Sequence, residues 1–318
     1  MENFLVTGGA GFIGSHLVDA LLAAGHTVRV LDDLSTGRRE NLDPRAELVQ
    51  GDVADAALVR KVVQGVSGIF HLAAIASVAR SSEDWLGTHR ANQTGTIAVL
   101  DAARALGRIP VVYASSAAIY GDQGEGPIAE TARPGPLTAY GADKLGSELH
   151  AAVAAGVHGV PTTGFRFFNV YGPRQDPSSP YSGVISIFAA RIGAGQGITI
   201  HGDGGQVRDF VYVADVVKHL LAGLATMRRA APAARVFNVC TGQATSVSGL
   251  ARTLFTVIGH DVPVAHGPAR AGDIRSSVGN PAAAMAALGV STEVPLADGL
   301  RATCASLQPL PPGQGVTA

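Results

Sequence analysis

Thr7-Gly8-Gly9-Ala10-Gly11-Phe12-Ile13-Gly14 stands between an apolar stretch, Phe4–Thr7, and a run in which Ile13, Leu17, Leu21 and also Val18, Leu22 recur at i, i+4. The first reads as a strand and the second as a helix with one apolar face, closed by Gly25. A glycine cluster alone is ordinary turn chemistry. Set between a strand and an amphipathic helix, it is a turn tight enough for backbone amides to approach a pyrophosphate, with contacts expected from Gly8, Gly11, Phe12, Ile13 and Gly14. Asp32, at the end of the next strand candidate Val28–Leu31, is placed to accept from an adenosine ribose and to repel a 2′-phosphate, so NAD is favoured over NADP. Arg38 and Arg39 in the following loop are the residues that could take a phosphate instead.

Outward from this motif, further strand candidates fall at Glu47–Gln50, Gly68–Leu72, Val111–Ser115 and Thr162–Phe167, separated by longer segments of helical period. That alternation is the signature of βαβ units on a parallel sheet. The expected fold is α/β, a doubly wound parallel Rossmann sheet over residues 1–170 followed by a smaller mixed α/β substrate domain over 171–318, with elements free to cross between the two. The rhythm breaks at Gly172-Pro173-Arg174-Gln175-Asp176-Pro177, and the ending from Pro311 reads as a mobile tail. Asp52 and Val53 follow the third strand, where the carboxylate could accept from an adenine amino group or cap a helix from Ala54 onward. Leu72, Ala73 and Ala74 end the fourth strand with small residues that let a cofactor lie across the strand ends; His71 before them reads as structural.

At 318 residues the chain can bury one large or two medium cores. Its 24 basic and 25 acidic residues cancel, so no broad field exists to hold nucleic acid or an anionic membrane, and an anionic ligand must be gripped locally. Met1 leads straight into Phe4-Leu5-Val6 without a basic n-region, and no window reaches 18 uninterrupted apolar residues. Neither export nor membrane insertion is expected, and the cytoplasm is the expected compartment. Cys240 and Cys304 have no ligand-like spacing, which argues against a disulfide framework and against a metal site.

Tyr140 and Lys144 are i, i+4 at the start of a helix candidate, so they share a face, and the lysine cation can favour tyrosinate. Alone, such a pair is usually a solvated helix face. Ser115 and Ser116, at the end of the fifth strand, give it weight, because a doubly wound topology brings them to the same crevice. A tyrosine held so can act as a base near neutral pH.

Thr-Gly-x-x-Gly-x-x-Gly, Tyr140-x-x-x-Lys144 and Ser115-Ser116-Ala117-Ala118-Ile119-Tyr120-Gly121 together resemble the extended short-chain dehydrogenase/reductase family. Within it the chain is similar to UDP-hexose 4-epimerases, nearly end to end, through Leu34-Ser35-Thr36-Gly37, His71-Leu72-Ala73-Ala74, Phe168-Asn169-Val170-Tyr171-Gly172, Gly205-Gln206-Val207-Arg208-Asp209-Phe210 and Arg270-Ala271-Gly272-Asp273. The resemblance implies that tightly held NAD takes hydride from sugar C4 while Tyr140 removes the O4 proton, assisted by Ser116. The 4-keto sugar then turns and receives hydride on its other face. On the family pattern Lys144 bonds the nicotinamide ribose, and Ser116 rather than Ser115 is the catalytic hydroxyl because it stands four residues before Tyr120; Ser115 joins Ser116 among the substrate-binding candidates. The resemblance also places Asn169, Arg208 and Arg270 on the UDP phosphates, Asp273 on the uridine ribose and His201 against uracil. For the arginines, ordinary pairing with Asp209 and Asp273 is the alternative. A homodimer through helices 91–106 and 140–155 is implied as well. Ser277, four residues after Asp273, stands where relatives restricted to UDP-glucose and UDP-galactose look to carry a tyrosine; its small side chain leaves room beside sugar C2 for an N-acetyl group.

Rival readings on this fold are nucleotide-sugar 4,6-dehydratases, which resemble this chain but carry an Asp-Glu pair where it has Ala117 and Ala118, and UDP-glucuronate decarboxylases or 4-epimerases, against which Asp176 would repel the carboxylate. A non-catalytic NAD-binding sensor would need the glycine turn but not Ser116, Tyr140 and Lys144.

Overall fold

The computed structural model describes residues 1–176, 183–229, 231–269 and 274–307. The glycine-rich turn joins strand β1 (Asn3–Thr7) to helix α1 (Phe12–Ala23), and the chain then runs through β2 (Thr27–Asp32), β3 (Glu47–Gln50), α2 (Ala56–Val62) and β4 (Gly68–His71). After β4 come the short helices α3 (Val78–Glu83) and α4 (Trp85–His89), a π-helical segment Arg90–Thr94, α5 (Gly95–Ala105), β5 (Val111–Ser116), α6 (Ala139–His158) and β6 (Thr162–Phe167). The strands expected from periodicity form within one residue of their expected ends.

Strands β1 to β6 lie in one parallel sheet whose order, 6-5-4-1-2-3, reverses between β1 and β4. That reversal opens a crevice at the carboxyl ends of the strands, where ligands of such sheets bind. Alternate residues of a strand point to opposite faces, and β1 shows it: Phe4 and Val6 join one core with Leu17, Val18 and Leu21 of α1, while Leu5 joins a second core with Val59 of α2 and Val99 of α5. Each such fully buried aliphatic side chain contributes roughly 1.5–3 kcal/mol.

Beyond β6 the chain forms β7 (Asn169–Tyr171), α7 (Val184–Gly193), β8 (Ile198–His201), β9 (Val207–Arg208), β10 (Phe210–Tyr212), α8 (Val213–Met227) and β11 (Ala234–Val239). It ends with β12 (Thr245–Ser246), α9 (Val247–Ile258), β13 (Val264–Gly267), β14 (Ser276–Ser277), α10 (Ala282–Leu288) and α11 (Leu296–Ser306). Strand β11 returns to the large sheet as its seventh member, parallel to β6, and Leu220 and Leu224 of α8 pack in the same core as α1. The remaining strands pair in small sheets, β10 with β7, β13 with β8, and β9 between β12 and β14. A third core, with Tyr171, Ile185, Phe188, Leu250, Leu254 and Leu300, supports them. The ending from Pro311 lies outside the described residues.

Candidate functional site

One cleft of about 1470 Å³ runs along the carboxyl ends of the strands and continues between the large sheet and β8, β9 and β14. At the β1–α1 turn, Gly8 has φ +73°, and a Cβ there would come within 2.7 Å of the Ala73 amide nitrogen. A Cβ on Gly14 would sit 2.1 Å from the Gly8 carbonyl oxygen, so a side chain there would push the helix off the turn. Gly11 caps α1 without a side-chain bond, leaving the first-turn amides, among them those of Phe12, Ile13 and Gly14, for a ligand at the positive end of the helix. The Asp32 carboxylate accepts from Ala10 N and from Leu34 N, both at 2.9 Å, and lines the same cleft. Burial raises its pKa, opposed by those two bonds. These features fit a dinucleotide: a backbone cradle closed to any Cβ, and a fixed acceptor one strand over.

Val53, Leu72, Ala73 and Ala74 line the cleft as the strand ends require. Asp52 lines it too, but its carboxylate accepts from Ala54 N at 2.7 Å and from Arg90 Nη2 at 2.8 Å, while the N-cap of α2 is Asp55. Arg38 pairs with Asp176 across the gap between the two halves of the chain, so Asp176 is spoken for and does not simply present a repulsive charge to substrate. His71 is structural in its contacts: buried, it takes Thr7 Oγ1 at 2.8 Å and Thr96 Oγ1 at 3.1 Å.

The end of β5 faces the start of α6. Thr138 caps α6 by accepting from Gly141 N, and this sets Tyr140 and Lys144 into the cleft beside Ser116. Burial raises the Tyr140 phenol, and a hydrogen bond from Ser116 works against it. Lys144 is 4 % exposed, donates to the Ala114 carbonyl at 2.9 Å and lies 5.9 Å from the Tyr140 ring centroid. Burial pulls its ammonium down to about 8. In the protein alone desolvation is the larger influence on the phenol and Ser116 is the group that opposes it, while Lys144, at about 8, stays mostly cationic near neutral pH and is turned to the Ala114 carbonyl. Ser115 lies at the cleft margin but commits its hydroxyl to Glu148 at 2.5 Å.

Asn169, His201, Arg208 and Ser277 all line the far part of the cleft. Ser277 is 7 % exposed on β14, in register with Arg208 of β9. Asp209 is not the partner that sequence proximity suggested for Arg208: its carboxylate accepts from Thr241 N and Oγ1, Gly242 N and Gly279 N. His201 holds the Pro268 carbonyl at 3.2 Å through Nδ1. Arg270 and Asp273 lie outside the described residues. Unforeseen in the sequence are the lining segment Ile75–Arg80 after β4, whose one local signal is Ser77 capping α3, and the buried partners of Ser115.

Residues 4–240 match the model of the NAD dependent epimerase/dehydratase family. The chain is 40% identical over 309 residues, 94% of its length and 96% of the relative's, to the UDP-glucose 4-epimerase of Mycolicibacterium smegmatis. Its structure is similar to that of the Thermotoga maritima UDP-glucose 4-epimerase with UDP-glucose, with a TM-score of 0.91 at 37% identity over 96% of this chain and 98% of that one. It is equally similar, at a TM-score of 0.91 and 32% identity over 96% and 97% of the chains, to the UDP-N-acetylglucosamine 4-epimerase of Methanobrevibacter ruminantium in complex with UDP-N-acetylmuramic acid. With the glycine cradle, Asp32 and the Ser116–Tyr140–Lys144 group all on one cleft, the chain belongs to the NAD-dependent epimerase/dehydratase family.

Proposed function

We propose that the protein is a UDP-hexose 4-epimerase that accepts both the N-acetylated pair, UDP-N-acetylglucosamine and UDP-N-acetylgalactosamine, and the UDP-glucose/UDP-galactose pair. The observation that carries this reading is the convergence of Ser116, Tyr140 and Lys144 beside the dinucleotide cradle, in one cleft with Asn169, Arg208 and Ser277. NAD, when bound, supplies a reversible hydride acceptor at sugar C4. Tyr140 holds and returns the O4 proton, Ser116 orients that oxygen, and Lys144 is placed to leave Ala114 for the nicotinamide ribose. Arg208, with Arg270, is the local grip on the diphosphate that a chain of balanced charge needs.

Ala117 and Ala118 line the cleft after Ser116 and can move no proton, which disfavours 4,6-dehydration. The pairing of Asp176 with Arg38 removes the repulsion that counted against a uronate, so a UDP-glucuronate substrate stays a second reading. Both cysteines are free thiols, and among the described residues no helix is long and apolar enough to cross a membrane; a cytoplasmic location is part of the proposal.

The test is product analysis after separate incubations with UDP-glucose, UDP-N-acetylglucosamine and UDP-glucuronate, using wild type and Ser277→Tyr. Wild type should form the 4-epimers of the first two. A tyrosine ring beside sugar C2 should abolish turnover of the acetylated sugar and spare UDP-glucose. No epimer from any sugar would overturn the function, and equal losses on both, or none, would remove Ser277 as the gate.

A further inference from the structure

Three successive residues at the end of β5 meet three residues spaced one turn apart on α6. Ser116 shares the cleft wall with Tyr140 and pulls its phenol down, the Ala114 carbonyl accepts from Lys144 Nζ at 2.9 Å, and Ser115 Oγ donates to Glu148 Oε1 at 2.5 Å. The first two rungs hold groups that face the cleft. The third is interior, with Ser115 1 % and Glu148 8 % exposed. Glu148 is itself clamped by Arg166 of β6, whose Nε and Nη2 donate at 2.9 and 2.7 Å in the fork geometry that suits a carboxylate. Arg166 Nη1 also donates to the Tyr120 hydroxyl at 2.8 Å and to the Glu130 carbonyl at 3.0 Å, and Tyr120 in turn donates to Asn238 of β11 at 2.7 Å. One carboxylate thus ties α6 to β5 and, through Arg166, to β6, β11 and the turn after Ser116.

We infer that Ser115, anchored by the Glu148–Arg166 pair, is a positioning residue that sets the Ser116 hydroxyl against Tyr140, and is not a substrate ligand. The inference rests on the functional reading above. A serine hydroxyl has one proton, and that of Ser115 goes to Glu148, so it has none to give a sugar. Of the other two rungs, Ser116–Tyr140 is the one being positioned, and Lys144–Ala114 involves the side chain that a nicotinamide ribose would claim. Glu148–Ser115 is then the link between strand and helix that does not change hands when ligands bind. Angstrom-scale slack at reacting groups costs orders of magnitude in rate, so a link of this kind belongs in the supporting structure of a site.

The sign of the effect on Tyr140 follows from its surroundings. Burial raises the phenol and the Ser116 bond opposes burial. The charged and titratable groups on α6 and on the elements packed against it are Asp143, Lys144, Glu148, His150 and His158 on α6, Arg80 and Glu83 on α3, His89 on α4, Arg90 on the π-helical segment, Asp101 and Arg104 on α5, Tyr113 on β5, Arg166 on β6 and Arg235 on β11. Of these, Ser115→Ala touches Glu148 alone, which loses one hydrogen bond but stays paired with Arg166 through both carboxylate oxygens, so a change in Tyr140 titration reports the Ser116 contact.

The test compares wild type, Ser115→Ala and Ser115→Thr, each NAD-loaded. Ser115→Ala should lower kcat roughly tenfold with KM within about twofold, move the acid limb of the kcat–pH profile upward, and raise the phenolate titration midpoint of Tyr140, isolated by subtracting the matching Tyr140→Phe protein. Ser115→Thr, which keeps a hydroxyl, should recover most of all three. A raised KM at unchanged kcat would make Ser115 a substrate ligand and overturn the inference, as would a folded Ser115→Ala protein with wild-type kcat and an unmoved phenolate titration. Should wild type turn over no UDP-sugar, the functional reading fails, while the phenolate titration still decides the role of Ser115.

Discussion

In the proposed reaction Tyr140 is the one site that takes and returns the proton. It is buried to 9 % exposure, its phenol is raised by that burial, and of the groups near it Ser116 is the one that pulls it down. Lys144 is held to about 8 and turned to the Ala114 carbonyl, and cationic charge brought closer to the phenol would favour its ionised form. Tyr140→Phe removes the transferable proton and little else. Its turnover should fall by roughly 10² to 10⁴, and the nicotinamide absorbance released on denaturing the variant should match wild type. Retained turnover would remove Tyr140 as the base. At this scale the sequence was legible wherever spacing carries chemistry: Tyr140 and Lys144 one turn apart, and the glycines at positions where a Cβ would meet Ala73 or the Gly8 carbonyl. Ser115 was not legible, because adjacent strand residues face opposite ways and its partner Glu148 lies 33 residues on, with Arg166 a further 18.

At the level of elements, the crevice depends on β1, β4 and α5 keeping their places, and His71 joins all three. Thr96 Oγ1 donates to the Asn92 carbonyl at 2.6 Å, so it accepts from His71 Nε2–H, and Nδ1 is left to accept from Thr7. Burial, with a smaller contribution from the Lys144 charge, lowers the imidazole to about 3. The unfolded chain therefore binds a proton at this position below about pH 6.5 that the folded protein refuses, and stability rises with pH across the window from about 3 to about 6.5 and is lost on acidification. The limiting slope is about 1.4 kcal/mol per pH unit. Wild type should lose Tm between pH 7 and about 5 more steeply than His71→Gln; His16 and His219, also lowered by burial, leave a residual slope in both. Equal slopes would show that His71 titrates as an exposed histidine does. The period of the sequence made the elements themselves legible. It did not reveal that β11 returns to the sheet, because that pairing is set by where α8 packs rather than by any local pattern.

For the whole molecule, the informative feature is apolar surface that the fold leaves uncovered. Leu149, Val153 and Val157 recur at i, i+4, i+8 along α6 and are 63, 51 and 71 % exposed, and Ile97 on the neighbouring α5 is 40 % exposed. The buried residues of α6, from Tyr140 through Ala151 to Ala155, form its opposite stripe. Such a helix has one face on the core and a second apolar face toward solvent, an arrangement that single soluble chains rarely leave open along a whole helix. A twofold axis beside α5 and α6 would cover it with the same stripe from a second copy, each residue meeting its symmetry-related neighbours. We propose that dimer, in which α6 would carry the proposed base Tyr140 on one side and the contact on the other, so that association would stiffen the helix that positions it. Multi-angle light scattering at micromolar concentration should give twice the chain mass. Val153→Arg, which places a charge at the middle of the stripe, should give a folded monomer with a reduced kcat, whereas a monomeric wild type, or a variant that remains dimeric, would place the contact elsewhere or nowhere.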